Sequence, residues 1–260
     1  MTGFDPMQTA IALRELRQAR SRMHALRETV APRTEQEGAE AQLALARLMG
    51  ADPPAGFKIG ATGKRMQAYL GLSGPAAGFM PAGGLYPSGA TVRFADFVNP
   101  GVECEIAVRL GRDLPPGPCT RTAAEAAVGE LMAGIEIVEN RYHDLAELGT
   151  PTMIADQVYH AAAVLGAPAD DWRSLDVAAL TGRMSIDGAV REQGAAADLL
   201  GHPMNCLAWL AGSAVAAAFG GLKAGQTIML GSVTPPIWLD APAHVTVEFA
   251  PLPAVAITLA

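Results

Sequence analysis

Two stretches of this chain alternate like β-strands yet carry acids where strands bound for a protein interior carry apolar residues. They are VECEIAV (102–108) and GIEIVENR (134–141). Successive side chains of a strand point to opposite faces, so Glu103, Glu105 and Ala107 share one side while Val102, Cys104, Ile106 and Val108 take the other. In the second stretch Glu136 and Val138 oppose Ile135 and Ile137. A half-buried sheet with a solvated face would explain the first pair alone. An acid inside the second apolar run is costly unless it is paired or metal-bound. Together Glu103, Glu105 and Glu136 read as a divalent-metal site. Hard oxygen ligands on rigid strands suit Mg²⁺ or Mn²⁺, which keep positions open for water or substrate oxygens. A thiol or imidazole cluster of the kind that holds structural zinc is missing.

Half of the 260 residues are apolar, enough for one large domain or one domain with an N-terminal appendage. Lys and Arg total 19 against 26 Asp and Glu, and the net charge of −7 argues against nucleic acid or an anionic membrane surface as partner. Cys104, Cys119 and Cys206 form an odd set without metal spacing, read as reduced thiols of a cytoplasmic protein. The first residues lack the basic start, apolar core and cleavage signal of an export peptide. Every long apolar tract is broken by Gly, Pro or charge before the roughly 20 residues that a membrane span needs, so a soluble protein is expected.

From Met7 to Gly50 the apolar spacing is helical, with a break at Ala31-Pro32 and a capping-box pair, Thr34 and Glu37, opening the second helix. This gives a helical N-terminal segment (1–50) ahead of a sheet domain (51–260). A strand-like GFKIG, a short helix KRMQAYLGL and Gly/Pro-rich turns through SGPAAGFMPAGGLYPSG come next. Strands are expected at 91–94, 102–110, 134–138, 158–165, 184–186, 227–230, 244–249 and 255–259, with helices at 121–132 and 204–219. Their irregular order predicts an α+β architecture on twisted sheets rather than a βαβ alternation.

Several other residues carry possible chemistry. GATGKR is no phosphate loop, because the first glycine of that motif would fall on Lys58 and the residue after Lys64 is Arg65. Lys58 in GFKIG is either a snorkelling surface lysine or an ammonium that needs a nearby anion. The five histidines show no metalloprotease spacing; His202 fits a cap or packing role, while His160 opens an apolar strand after Asp156 and is a catalytic candidate. Arg141 can pair with an acid of the chain or with a substrate carboxylate. Ser232 and Thr234 sit in a turn after a strand, where hydroxyls and amides can bind an anion or simply turn the chain.

In order, GFKIGATGKRMQAYLG, VECEIAV, GIEIVENR, IADQVYHAAAVLG, LLGHPMNCLAWLA and AGQTIMLGSVTPP resemble the fumarylacetoacetate hydrolase superfamily, within it the 2-oxopent-4-enoate hydratase and 4-oxalocrotonate decarboxylase branch. The resemblance runs from about Thr34 to the C-terminus. It implies a mixed β-roll with flanking helices and a homo-oligomer, or a hetero-oligomer with a homologous enzyme. It implies Mg²⁺ or Mn²⁺ on Glu103, Glu105 and Glu136, with a small 2-oxo acid filling the open positions. Lys58 would support proton transfer or neutralise the substrate, Gln67 matches a glutamine of the same block, and Thr234 lies in the segment over the substrate carboxylate. The implied activity is hydration of a 2-hydroxy-2,4-dienoate, with decarboxylation of a 2-oxo-3-hexenedioate and acylpyruvate hydrolysis as rivals and a non-catalytic partner subunit as the reading from another class. Two departures stand out. A Pro-Asp-Phe-Gly block of the hydratases is here Pro75-Ala76-Ala77-Gly78, so an acid becomes Ala76; an Asp-Asn-Ala-Ser block is Asp156-Gln157-Val158-Tyr159, followed by His160. Tyr159 and His160 are therefore the expected substitutes for the group that handles the second proton.

Overall fold

The computed structural model describes residues 3–70, 72–143 and 148–260. Helices α1 (Pro6–Ala19) and α2 (Glu35–Leu48) open the chain. Asp5 caps α1 by accepting from the Met7 amide, Pro6 sits in its first turn, and Arg20 ends it in the left-handed region. Thr34 caps α2 by accepting from the Glu37 amide at 3.1 Å, and the Glu37 carboxylate accepts in return from the Arg33 amide.

The rest alternates strands with short helices: β1 (Gly56–Gly60), α3 (Lys64–Leu70), β2 (Ala76–Met80), β3 (Leu85–Pro87), β4 (Ala90–Val92) and β5 (Pro100–Leu110). Then come α4 (Arg121–Ala127), β6 (Val128–Glu139), α5 (Gly149–Ala155), β7 (His160–Leu165), β8 (Thr181–Ile186) and β9 (Ala189–Ala195). The chain closes with α6 (Pro203–Ala211), α7 (Ala214–Ala218), β10 (Thr227–Ser232), β11 (Ile237–Trp238), β12 (Ala243–Glu248) and β13 (Val255–Leu259). A mixed sheet runs β2-β1-β10-β5-β6-β7-β3, with β11 also on β5; a second sheet runs β4-β13-β12-β8-β9. Helix α2 packs on α5 and α7. This is the expected α+β architecture.

The long β5–β6 pair sets the register that matters: Glu103 faces Glu136, Glu105 faces Gly134, and Ala107 faces Met132. Val102, Cys104, Ile106 and Val108 lie fully buried in the main core, as the alternation requires. On the opposite face Ala107 and Met132 join Met80, Ala163 and Met229 in a smaller apolar cluster. The acids thus share a face whose remainder is dry, which is what makes their charge expensive.

Several boundaries differ from the sequence expectations. The helix expected over 121–132 stops at Ala127, and β6 begins at Val128, because pairing with β5 outweighs helical spacing in the Gly-containing run that follows. The single helix expected over 204–219 is two, separated at Gly212 and Ser213, with Ser213 capping the second through the Ala216 amide. Strand β7 begins at His160 rather than 158, since Gln157, Val158 and Tyr159 all adopt positive φ. The stretch read as turns between Gly74 and Gly89 contains β2 and β3, and β9 and β11 carried no alternation strong enough to see. Of the short helix expected over KRMQAYLGL, Lys64–Leu70 is helical and Gly71 lies outside the described residues. Among the described residues no helix is long and apolar enough to cross a membrane.

Candidate active site

Each of Glu103, Glu105 and Glu136 offers a carboxylate oxygen within 4.8 Å of the others. Glu105 and Glu136 are fully buried and Glu103 is half-buried. Burial first, then the charge of Glu136, pushes the Glu103 carboxyl up to about 8. The same two causes, with Glu103 added, hold Glu105 well above the ordinary carboxylate range. Glu136 behaves oppositely: burial raises it, but Lys58 and His160 outweigh burial and bring it below its usual value.

Lys58 on β1 reaches across the sheet face to Glu136 on β6, its Nζ 3.1 Å from Oε1, and both side chains are buried. The anion that an ammonium in GFKIG requires is therefore Glu136. His160 places Nδ1 2.9 Å from the same Oε1. Its Nε2 is buried without a hydrogen-bond partner among the described residues, as are Oε1 of Glu105 and Oγ1 of Thr234. Burial, against the pull of Glu136, lowers the His160 pKa.

Strand β10 supplies the other wall. It pairs with β5 at Met229↔Ala107 and again at Ser232↔Glu105, with an irregularity between. Gly231 lies in that bulge at φ +111 and points its amide at Glu105 Oε2, 3.0 Å away. A Cβ there would stand 2.7 Å from the Thr62 side chain, so glycine is required twice over. The Ser232 hydroxyl donates to the Thr234 carbonyl at 2.7 Å and shapes the turn beyond the bulge.

The remaining candidates make other contacts. Gln67 donates to the Ala61 carbonyl at 2.9 Å and accepts from Lys64. Arg141 turns to Glu139 and Asp156, at 2.6 and 2.9 Å, so its visible use is a structural ion pair. Tyr159 is buried with its ring 6.0 Å from that of Tyr142. His202 caps α6 by accepting from the Met204 amide.

Sequence reasoning missed Asp156, Gln42, Arg17 and Gly231 as site-shaping residues. Asp156 is fully buried and accepts from Arg17, Arg141 and the Tyr142 hydroxyl. Burial raises its pKa, but Arg141 and Arg17 outweigh that and hold it low. Gln42, fully buried, was legible as a lone amide in the apolar stripe of AQLALARL. It donates to the carbonyls of Ala77 and Ile154 and accepts from the Phe79 amide. The two departures from the family pattern meet in space. A Cβ on Gly78 would run into the Gln157 carbonyl oxygen, and the Gln157 amide group donates to the Phe79 carbonyl at 2.7 Å.

A divalent cation fits this site. Three clustered carboxylates are otherwise mutually repulsive, one carboxylate oxygen is buried with no donor among the described residues, and the donor set is all hard oxygen. Lys58 and His160, both bonded to Glu136, leave Glu103 and Glu105 as the acids most in need of positive charge.

Residues 60–260 match the family described as fumarylacetoacetate (FAA) hydrolase C-terminal. The 2-keto-4-pentenoate hydratase of Burkholderia vietnamiensis is 33% identical over 186 residues, 72% of this chain and 70% of that protein. A 4-oxalocrotonate decarboxylase of a Pseudomonas species is 34% identical over 182 residues, 69% of this chain and 68% of that one. The structure of 4-oxalocrotonate decarboxylase from Pseudomonas putida G7, complexed with magnesium and adipate, superimposes with a TM-score of 0.89 at 24% identity, covering 98% of this chain and 97% of that one. The order of motifs, the α+β fold and the extent of these matches agree, and the chain belongs to the fumarylacetoacetate hydrolase family.

Proposed function

We propose that the protein is a Mg²⁺- or Mn²⁺-dependent hydro-lyase that hydrates a 2-hydroxy-2,4-dienoate to a 4-hydroxy-2-oxo acid in the meta-cleavage breakdown of aromatics. The observation that carries this reading is the convergence of Glu103, Glu105 and Glu136 beside His160, all within the segment that matches the family, with Lys58 reaching Glu136 from just ahead of that segment. A cation held by the three carboxylates would supply Lewis acidity toward the 2-oxo group and the adjoining carboxylate of the substrate.

The chain's own groups do the rest. Lys58 balances the charge of Glu136 and keeps that carboxylate ionised and oriented. His160 is fixed through Nδ1, which leaves the buried Nε2 as the atom that can hold or pass a proton where Ala76 offers none. Tyr159 is the second candidate for that proton. The Thr234 hydroxyl, without a hydrogen-bond partner among the described residues and on the turn held by Ser232, is the candidate donor to a substrate carboxylate; Gln67, bonded to Ala61, and Arg141, bonded to Glu139 and Asp156, support the surrounding chain.

Decarboxylation of 2-oxo-3-hexenedioate is the second reading, favoured by the decarboxylase among the relatives of similar identity. Lys58 and Arg141 are each engaged by carboxylates of the chain, which argues for a substrate with one carboxylate rather than two. The small-molecule reaction is assigned to the cytoplasm, in a homo-oligomer or in a hetero-oligomer with a homologous enzyme. Light scattering of the purified chain distinguishes these assemblies.

The test is a spectrophotometric assay of 2-hydroxypenta-2,4-dienoate and of 2-oxo-3-hexenedioate with Mg²⁺, each repeated with EDTA. Metal-dependent loss of the first alone supports the hydratase; CO₂ release from the second alone makes the protein a decarboxylase. Inactivity on both overturns the lyase reading.

A further inference from the structure

The N-terminal helices lie before the family-matched segment, yet two of their side chains end beside the active site. Arg17 of α1 donates through Nε to Asp156 Oδ1 at 2.8 Å and through Nη2 to the Asp156 carbonyl at 3.1 Å. Gln42 of α2 donates to the Ile154 carbonyl and, from the other side, ties down β2 at Ala77 and Phe79. Between and beyond these two anchors the chain makes an unusual turn. Gln157, Val158 and Tyr159 have φ of +58°, +52° and +65°, with not one glycine among them and one β-branched residue. Such a run persists only where its surroundings over-determine it. The next residue is His160, bonded to Glu136.

We infer that the N-terminal helices belong to the catalytic unit, with Arg17 and Gln42 as positioning residues that clamp the left-handed turn and thereby hold His160 on Glu136. Three features support this over simple packing. Hydrogen bonds from two different helices, partly buried for Arg17 and buried for Gln42, reach one short segment. They fall on the residues immediately before the turn, Ile154 and Asp156, where a shift is passed directly to His160. A parallel bridge, Met23 with Tyr142, fastens the chain after α1 to the segment holding the other Asp156 partners, Arg141 and Tyr142. Removing Arg17 leaves Asp156 with those two partners, so the loss is one of orientation rather than of a whole buried cluster.

The inference rests on the proposed reading of Glu136 and His160 as active-site groups, and its test separates the two. Arg17→Met, Arg17→Lys and Gln42→Met are compared with the parent by hydrogen exchange and by steady-state kinetics on whichever of the two substrates the parent turns over. For Arg17→Met the expected result is faster exchange confined to 154–160 and a kcat at least about 10-fold lower with KM little changed, as for loss of an outer-shell partner. Arg17→Lys, which keeps the charge but not the fork, recovers part of kcat. Unchanged exchange at 154–160, a kcat within about twofold of the parent, or faster exchange spread evenly over the chain would each overturn the inference. Should Arg17→Met fail to fold, Arg17→Lys and Gln42→Met decide by the same criteria. A parent inactive on both substrates removes the functional reading alone, and exchange at 154–160 still judges the clamp.

Discussion

His160 and Glu136 are joined by a 2.9 Å contact between Nδ1 and Oε1, on the oxygen that also lies 3.1 Å from Lys58. Glu136 is therefore fixed from two sides before any cation arrives, whereas among the described residues Glu105 has one donor, the Gly231 amide. The three acids divide into one that is pre-oriented and held ionised and two that await positive charge.

His160→Ala tests the first half of that division. It removes the hydrogen bond that orients the Glu136 carboxylate; where that carboxylate holds the cation as proposed, such an outer-shell loss typically costs about 10- to 100-fold in metal affinity or activity. We expect Mn²⁺ affinity, read by calorimetry, or kcat to fall within that range, with the fold intact. Both unchanged would remove His160 from the site.

Glu105→Gln tests the second half. The amide keeps the volume but loses the charge that a hard cation needs, so turnover should vanish while the protein stays soluble. The metal-free protein should gain stability because one buried, mutually repelling acid is gone. Thermal unfolding with and without Mg²⁺ reads both effects: the variant melts higher in EDTA and responds little to Mg²⁺. Retained activity would exclude Glu105 from the ligand set.

The pH dependence follows from the raised carboxyls. Glu103 moves from an ordinary 4.5 to about 8 on folding without metal, and Glu105 moves in the same direction. In that window the folded chain holds more protons than the unfolded one, so metal-free stability is full below about 4.5 and declines as pH rises toward 8. Glu136 and Asp156, held below the ordinary range, act at lower pH and in the opposite sense. Melting temperature in EDTA should fall from about pH 5 to about pH 8, and the gain on adding Mg²⁺ should grow over the same interval. A flat profile would mean that the acids do not repel as their spacing implies.

How much of this was legible in the sequence depended on the range of the interaction. Alternation in VECEIAV placed Glu103 and Glu105 on one face because a strand's period is a local property, and capping by Thr34 was visible for the same reason. The partner of Lys58 could be demanded but not named, since β1 meets β5 and β6 only through β10 and the shared face. Arg17 and Asp156 are 139 positions apart, and nothing in ELRQAR marks one arginine as the partner of a buried acid. The left-handed run at 157–159 contains no glycine to announce it, so tertiary anchoring alone sets its conformation and the late start of β7. The helix expected to run on to Met132 failed for a related reason: strand pairing with β5 is non-local and overrides apolar spacing.

Gly231 offers the sharpest separation of fold from site. Its φ of +111 and the 2.7 Å approach to Thr62 both penalise any Cβ, so Gly231→Ala should cost about 1–3 kcal/mol of stability. The same substitution forces the bulge to move, and with it the amide that faces Glu105 Oε2. Stability lost through strain is common to every state of the protein, but a displaced Glu105 weakens only the metal-bound form. Denaturant unfolding with EDTA and with saturating Mn²⁺ therefore gives two numbers. A larger loss in the Mn²⁺ series assigns the bulge to holding Glu105 for the cation; equal losses in both series confine Gly231 to a role in the turn.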